Sequence, residues 1–198
     1  MRLISARQAW HDCYYQQGRC SLELLVDRAL WGQVQLSEVD RSLDVIAHQA
    51  LAGKFQHAIA SLPEGVQCFG NYLYAPEIST RVSNSWLEGA HEAVWCRWLG
   101  RESLSPGKQQ QAYWVVRGVL FRYRAMMQGG MSLNDPLSQP PQFRAWMAGN
   151  HGVTLDRRNW SREWGRVIDA LIEVCNRIDI EALIPVSRVL YAELGEVA

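Results

Sequence analysis

The 198-residue sequence predicts an all-α protein, a multi-helix fold with a helix-turn-helix-like region in its C-terminal half. Three observations carry the prediction. Apolar residues recur three and four positions apart over long stretches; Pro63, Gly100 and the pair Gly129 and Gly130 stand where those stretches end; and no run sustains the period-two alternation of a half-buried strand. Apolar residues make up 48% of the chain and aromatics 10%, enough to fill the core of one large domain or two small ones.

Taken in order, short helices are expected over 5–17 and 21–31. In SLDVIAHQALAGKFQHAIASL, residues 42–62, a stripe of Leu43, Ile46, Ala47, Ala50, Leu51, Phe55, Ala58, Ile59 and Leu62 predicts an amphipathic helix stopped by Pro63. VQCFGNYLY at 66–74 admits a short extended piece. Residues 83–99 form a helix with Ser83 or Ser85 as its cap and Gly100 as its stop. A central helix of six turns is expected over 105–130, entered at Ser105 and Pro106 and left at the glycine pair. Residues 131–141 hold three prolines and read as a loop, and the polar stretch 77–85 is the weakest joint. It divides an N-terminal helical region, 1–82, from a C-terminal one, 83–198, that contains the helix-turn-helix-like segment 142–176.

The net charge is zero, but the charge is segregated: −2 over residues 1–90, +6 over 91–168 and −4 over 169–198. A basic block between acidic ones suggests a polyanion on one face and a different partner elsewhere. Eighteen of the twenty cations are Arg, the better fork for phosphate and guanine; the others are Lys54 and Lys108. No apolar run reaches the roughly 18–20 residues of a membrane span, and the N-terminus lacks the apolar stretch of a signal peptide, so a soluble, cytoplasmic protein is expected. The five cysteines form no CxxC pair, which leaves reduced, mostly buried thiols as the expectation. No histidine pair has metal-ligand spacing, and no phosphate loop, dinucleotide fingerprint or esterase elbow is present. Neither an enzyme nor a cofactor or metal is expected.

The informative stretch is 142–174. A short helix carrying Phe143, Trp146 and Met147 ends in GNHG, and Thr154 or Asp156 caps a second, longer helix, the order of elements in helix-turn-helix readers of DNA. On a helical wheel Arg158, Arg162 and Arg166 fall within about 80° of one another, opposite Trp160, Trp164, Val167, Leu171 and Cys175. Arg166 can pair with Asp169 and Glu173 with Arg177. Arg157, Arg158 and Arg162 instead crowd a helix start that is already positive, which points to an anion there. With Asn159 and Ser161 between them, these residues and Arg166 form the first candidate nucleic-acid-binding set. The second lies on the central helix: Lys108, Arg117, Arg122 and Arg124 as phosphate contacts, with Tyr113, Trp114, Phe121 and Tyr123 read as packing.

FRAW at 143–146, followed by NWSREWGRVIDALIEVC at 159–175, resembles the C-terminal part of the lambda-type Q proteins, a family of late-gene transcription antiterminators. The shared pattern is an aromatic-Arg-Ala opening, then Trp160, Ser161 and Arg162, then Asp169, Ala170 and Leu171, then Cys175. The lambda protein's cysteine-rich zinc module has no counterpart, since MMQGGMSLNDPLSQPP contains no cysteine. The resemblance implies a positive regulator of late or lysis genes that binds a double-stranded DNA element near a promoter, engages bacterial RNA polymerase and travels with it through terminators, with nascent RNA a further partner. The acidic N-terminal helices suit the polymerase contact. The alternatives are a helix-turn-helix regulator acting only at its operator, and a helical adaptor whose arginines are a solvated face.

Overall fold

The computed structural model describes residues 5–14, 42–76, 79–99, 104–128 and 137–195, and all secondary structure among them is helical. The expected helix over 21–31, Cys20 and most of the 131–141 loop lie outside the described residues. The chain divides into two compact units, Met1–Ser61 with Pro185–Ala198, and Leu62–Ile184. The expected division near residue 82 does not coincide with them, because 77–85 falls inside the second unit and a helix already begins at Thr80.

In the first unit, α1 (Ala6–Asp12) is capped by Ser5, whose Oγ accepts from Gln8 N at 3.2 Å, and it buries Trp10 completely. It ends before the expected residue 17: Cys13 and Tyr14 form a turn in which Tyr14 N donates to His11 O. Helix α2 (Ser42–Ala60) stops short of Pro63 as expected, and Phe55, Ala58 and Ile59 of the expected stripe are buried, but its first half turns other residues inward. His48, Ala52, Phe55 and Ile59, spaced four, three and four apart, form the buried line, which leaves Ile46, Ala47 and Ala50 on the exposed side. Gln56 Nε2 donates to Cys13 O at 2.7 Å, and Lys54 pairs with Glu193 at 2.6 Å.

The second unit opens with α3 (Glu64–Tyr74), where an extended piece was expected. Glu64 stands in the first turn, and Val66, Phe69, Gly70 and Leu73 recur at helical spacing and are all buried, so the apolar content of 66–74 is that of a helix enclosed by others. Ser79, one turn earlier than the expected cap, starts α4 (Thr80–Trp98) by accepting from Val82 N at 3.3 Å. The two helices run antiparallel and pack closely: a Cβ on Gly89 would stand 2.6 Å from Cys68 Sγ, and one on Gly65 3.0 Å from Ala93 Cβ. Helix α5 (Pro106–Gln128) is the expected central helix and buries Ala112, Val115, Val116, Val119, Leu120 and Tyr123. Helix α6 (Pro140–His151) starts two residues before the end of the expected loop, on two prolines suited to a first turn, and packs on α5 where Gly118 leaves room for Phe143 and Met147. Helix α7 (Trp164–Gly195) closes the unit with Trp164, Val167, Leu171, Val174, Cys175 and Ile178 turned inward, and its last turns, from Pro185 on, belong to the first unit.

One buried polar cluster ties α3, α5 and α7 together. Asp179, 3% exposed, accepts from Tyr74 Oη at 2.6 Å and from Tyr123 Oη at 3.4 Å, and Tyr123 Oη also lies 2.9 Å from Asn176 Oδ1. A carboxylate removed from water is tolerable only with donors aimed at it, and the tyrosines supply them from two other helices. Tyr74→Phe removes the shorter bond while keeping the ring, so it should cost about 1.5–3 kcal/mol of stability in urea unfolding. A loss under about 0.5 kcal/mol would show that the cluster does not carry this weight.

Between α4 and α5, buried His91 places Nε2 2.8 Å from Tyr113 O. A carbonyl only accepts, so Nε2 carries the proton. Burial, with the nearby Arg117 guanidinium, pushes the imidazole pKa below its ordinary 6.5, even though the carbonyl bond and Glu88 and Glu92 oppose the shift. The folded state therefore binds the proton less readily than the unfolded chain. This contribution to stability is fully present above about pH 6.5 and is lost as pH falls from there through the depressed folded value. Unfolding free energy should drop over that window, and His91→Asn should flatten the drop; an equal pH dependence in the variant would contradict the assignment.

Candidate nucleic-acid interface

The connection between α6 and α7 is not the helix start that the sequence predicts. Gly152, with φ +64°, ends α6 in the left-handed region, and the N–H groups of Gly152 and Val153 reach back to Ala148 O and Met147 O. Neither Thr154 nor Asp156 caps a helix. Asp156 Oδ1 instead accepts from Arg158 N at 2.8 Å and turns the chain, Asn159 takes a left-handed φ of 53°, and Trp160–Arg162 form a single 3-10 turn before α7 begins at Trp164. Residues 152–163 are therefore far longer than the roughly three- or four-residue turn of a helix-turn-helix, and the expected helix pair lacks that geometry. Arg157, Arg158 and Arg162 therefore do not crowd the first turns of a helix, and no helix N-terminus adds its positive end to them.

The same geometry keeps the first candidate set together on the surface. Arg157, Arg158, Asn159, Ser161, Arg162 and Arg166 are all exposed, and among the described residues none of these four arginines makes an ion pair. The expected Arg166–Asp169 pair is not formed, whereas Arg177 does pair with Glu173, at 3.0 Å. The wheel drawn from the sequence holds from Trp164 onward, where Arg166 faces out and Trp164, Val167, Leu171 and Cys175 face in. Trp160 departs from it. Its ring is only half-buried, set edge-on to Phe143 at 6.2 Å and under the Arg144 guanidinium at 5.9 Å.

The second candidate set is divided. Lys108 pairs with Glu163, so it reaches the connection with its charge already matched. Arg122 is half-buried and lines a cavity together with Phe143, Trp160 and Asp169. Arg117 is a structural group: its side chain is 11% exposed and bound to Glu88, whose carboxyl pKa this bond holds below its usual value. Arg124, also half-buried, lies 5.1 Å over the Tyr72 ring. Arg117 and Arg124 thus leave the candidate interface, because burial beside a carboxylate or a ring commits them to the fold. Arg144 is committed in the same way, half-buried over the Trp160 ring with its Nε 3.4 Å from Pro140 O.

Two of the rings read as packing are not core residues. Trp114 is 36% and Phe121 42% exposed, while Tyr123 is buried and Tyr113 half-buried. The cysteine expectation holds for Cys13 and Cys175, which are buried, but not for Cys96, which is exposed. Burial pushes the Cys13 thiol up to about 12 and raises Cys175 and Cys68, and a bond to Glu92 raises Cys96, so none of the four is activated as a thiolate. Among the described residues no group of three or more His, Cys, Asp or Glu could hold a metal, and no helix is long and apolar enough to cross a membrane.

Comparisons with family models, curated proteins and solved structures give no match.

The different burial of the two tryptophans is directly measurable. Trp164→Ala should cost about 3–5 kcal/mol because the ring is 2% exposed. Trp160→Ala should cost less, about 1–2 kcal/mol, with the fold retained. Equal losses in denaturant unfolding would contradict the placement of Trp160 at the rim.

Proposed function

We propose that the chain is a DNA-binding transcription antiterminator. It holds a promoter-proximal element of duplex DNA through the α6–α7 connection, joins bacterial RNA polymerase and carries transcription of late or lysis genes through terminators. The observation that supports the nucleic-acid half is the grouping of Arg157, Arg158, Arg162 and Arg166, exposed and without ion pairs among the described residues, around a turn fixed by Asp156 and Asn159. Unmatched guanidinium groups suit phosphate oxygens, and the side chains of Asn159 and Ser161 between them suit base edges or further phosphates. Zero net charge is no obstacle, since affinity follows the number of phosphates neutralised locally.

The antitermination half rests on the resemblance to the lambda-type Q family. Its segments, 143–146 and 159–175, fall on α6, the 3-10 turn and the start of α7; the second carries Arg162 and Arg166, and Arg157 and Arg158 directly precede it. In this scheme the acidic N-terminal region contacts polymerase, and nascent RNA passes nearby. The length of the 152–163 connection favours this reading over an operator-bound helix-turn-helix regulator, which needs its recognition helix close behind the first.

Fragments of the protein's own genome that it retains should be placed upstream of an intrinsic terminator and transcribed in a single round by the cognate bacterial polymerase. Readthrough should rise when the protein is added, and Arg158→Ala with Arg162→Ala should abolish most of the rise without changing the melting curve. Unchanged readthrough on every retained fragment would overturn antitermination, and failure to retain any fragment would overturn the DNA reading.

A further inference from the structure

The second unit carries a feature that binding of duplex phosphates does not use. Trp114 and Phe121 lie seven residues apart on α5 and so share a face, and each is stacked on a ring of α6. Phe121 lies on Trp146 at 5.4 Å and 25°, and Trp114 on His151 at 5.4 Å and 24°; Trp146 meets His151 edge-on at 5.2 Å. The row continues from Trp114 to Tyr113 at 5.5 Å and from Tyr113 to Trp95 of α4 at 5.3 Å. Every ring in it is partly exposed, where packing alone would enclose them.

Trp114 lines two open cavities. One is bounded by Gln111, Gly152 and Thr154, the other by Trp95, Pro106 and Tyr113, and Gln110 lines both. Among the described residues lining them there is no carboxylate; the polar groups are glutamine amides, the Thr154 and Tyr113 hydroxyls and backbone, which donate and accept, and indole N–H groups, which donate. Gln111 Nε2 already donates to Thr154 O at 3.0 Å and fixes the rim. Three residues beyond Thr154 the chain reaches Arg157 and Arg158. Flat rings, glutamine amides in the lining, no acidic group there, and exposed cations three and four residues further along the chain match one kind of ligand. Unpaired bases on a phosphate backbone have the faces, the hydrogen-bonding edges and the charge, whereas the bases of a duplex are already stacked on each other.

We propose that the Trp95–Tyr113–Trp114–His151–Trp146–Phe121 row is a stacking platform for single-stranded nucleic acid, with Trp114, stacked on His151 and exposed at both cavities, its central ring. The proposal deepens the nucleic-acid reading, on which it rests, by giving the protein a site for unpaired strands beside its site for duplex. His151 serves as a neutral ring, since burial and the nearby Arg117 lower its pKa.

The test is fluorescence anisotropy with the full chain and three labelled probes: oligo(dT), oligo(U) and a duplex of equal length. The expected result is binding of at least one single strand, weakened about five- to a hundredfold by Trp114→Ala and largely restored by Trp114→Tyr, with duplex affinity unchanged in both. The relative affinities for oligo(dT) and oligo(U) tell DNA from RNA as the source. Phe121→Ala, at the far end of the row, gives a second reading should Trp114→Ala fail to fold. Single-strand affinity that is absent, or equal in wild type, Trp114→Ala and Phe121→Ala, overturns the platform while leaving duplex binding standing. Binding of a proline-rich peptide in place of the oligonucleotides also overturns it. Loss of duplex and single-strand binding together overturns both readings.

Discussion

The interaction on which the second unit depends is the buried carboxylate of Asp179, held by tyrosines from two other helices. Tyr74 ends α3, Tyr123 lies in the last turns of α5, and Asp179 sits in the middle of α7, so the cluster fixes the rotation of all three about their axes. Once α7 cannot rotate, Trp164, Val167, Leu171 and Cys175 must face inward and Arg166 must face out. An apolar core alone would accept small rotations at little cost; a carboxylate with directional donors does not. The position from which the 3-10 turn and its arginines project follows from this constraint.

Charge in the second unit is sorted by burial. Arg117 is sunk beside Glu88 and close to His91 and His151, and Arg97 reaches Glu181 at 2.6 Å, so part of the basic excess that the sequence displays is neutralised within the fold. The exposed pairs add little stability. What they do is concentrate the unmatched charge. After Lys108 takes Glu163, the cations left without ion pairs among the described residues of the connection are Arg157, Arg158 and Arg162, followed by Arg166. The proposed duplex site lies on one short stretch, 152–166, whose shape is set by Gly152, Asp156 and Asn159, and a cavity beside the proposed single-strand platform is lined by the start of that stretch.

The fold is most legible in the sequence where one local signal meets no competitor. Pro63, the Ser105–Pro106 entry and the three-four spacing bracket α2 and α5 almost to the residue. It is least legible where tertiary context decides. Residues 66–74 resemble an extended piece because Phe, Tyr and Val favour strands, yet enclosure on nearly every side makes an apolar helix stable there. Thr154 and Asp156 are good helix caps in isolation, but Asp156 closes a turn on Arg158, and the left-handed Asn159 puts the helix start at Trp164. The helical wheel therefore identifies the arginine face and misplaces its first turns. Arg117 and Arg124 illustrate a different limit: periodicity puts a cation on a helix, and only the neighbouring helices reveal Glu88 and the Tyr72 ring waiting for it. By the same limit Trp114 and Phe121 pass for core residues, since nothing local records that each stacks on a ring of α6 and still remains exposed.

The claim that the unmatched arginines of the α6–α7 connection engage phosphate is tested most directly by the salt dependence of duplex binding. Each phosphate neutralised on B-form DNA contributes about −0.9 to the slope of log Kobs against log salt concentration. Affinity of the wild-type chain should decline steeply and linearly, with a slope shallower by about 1 for each alanine substituted at Arg157, Arg158, Arg162 or Arg166. A slope near zero, or one that all four substitutions leave unchanged, would contradict it.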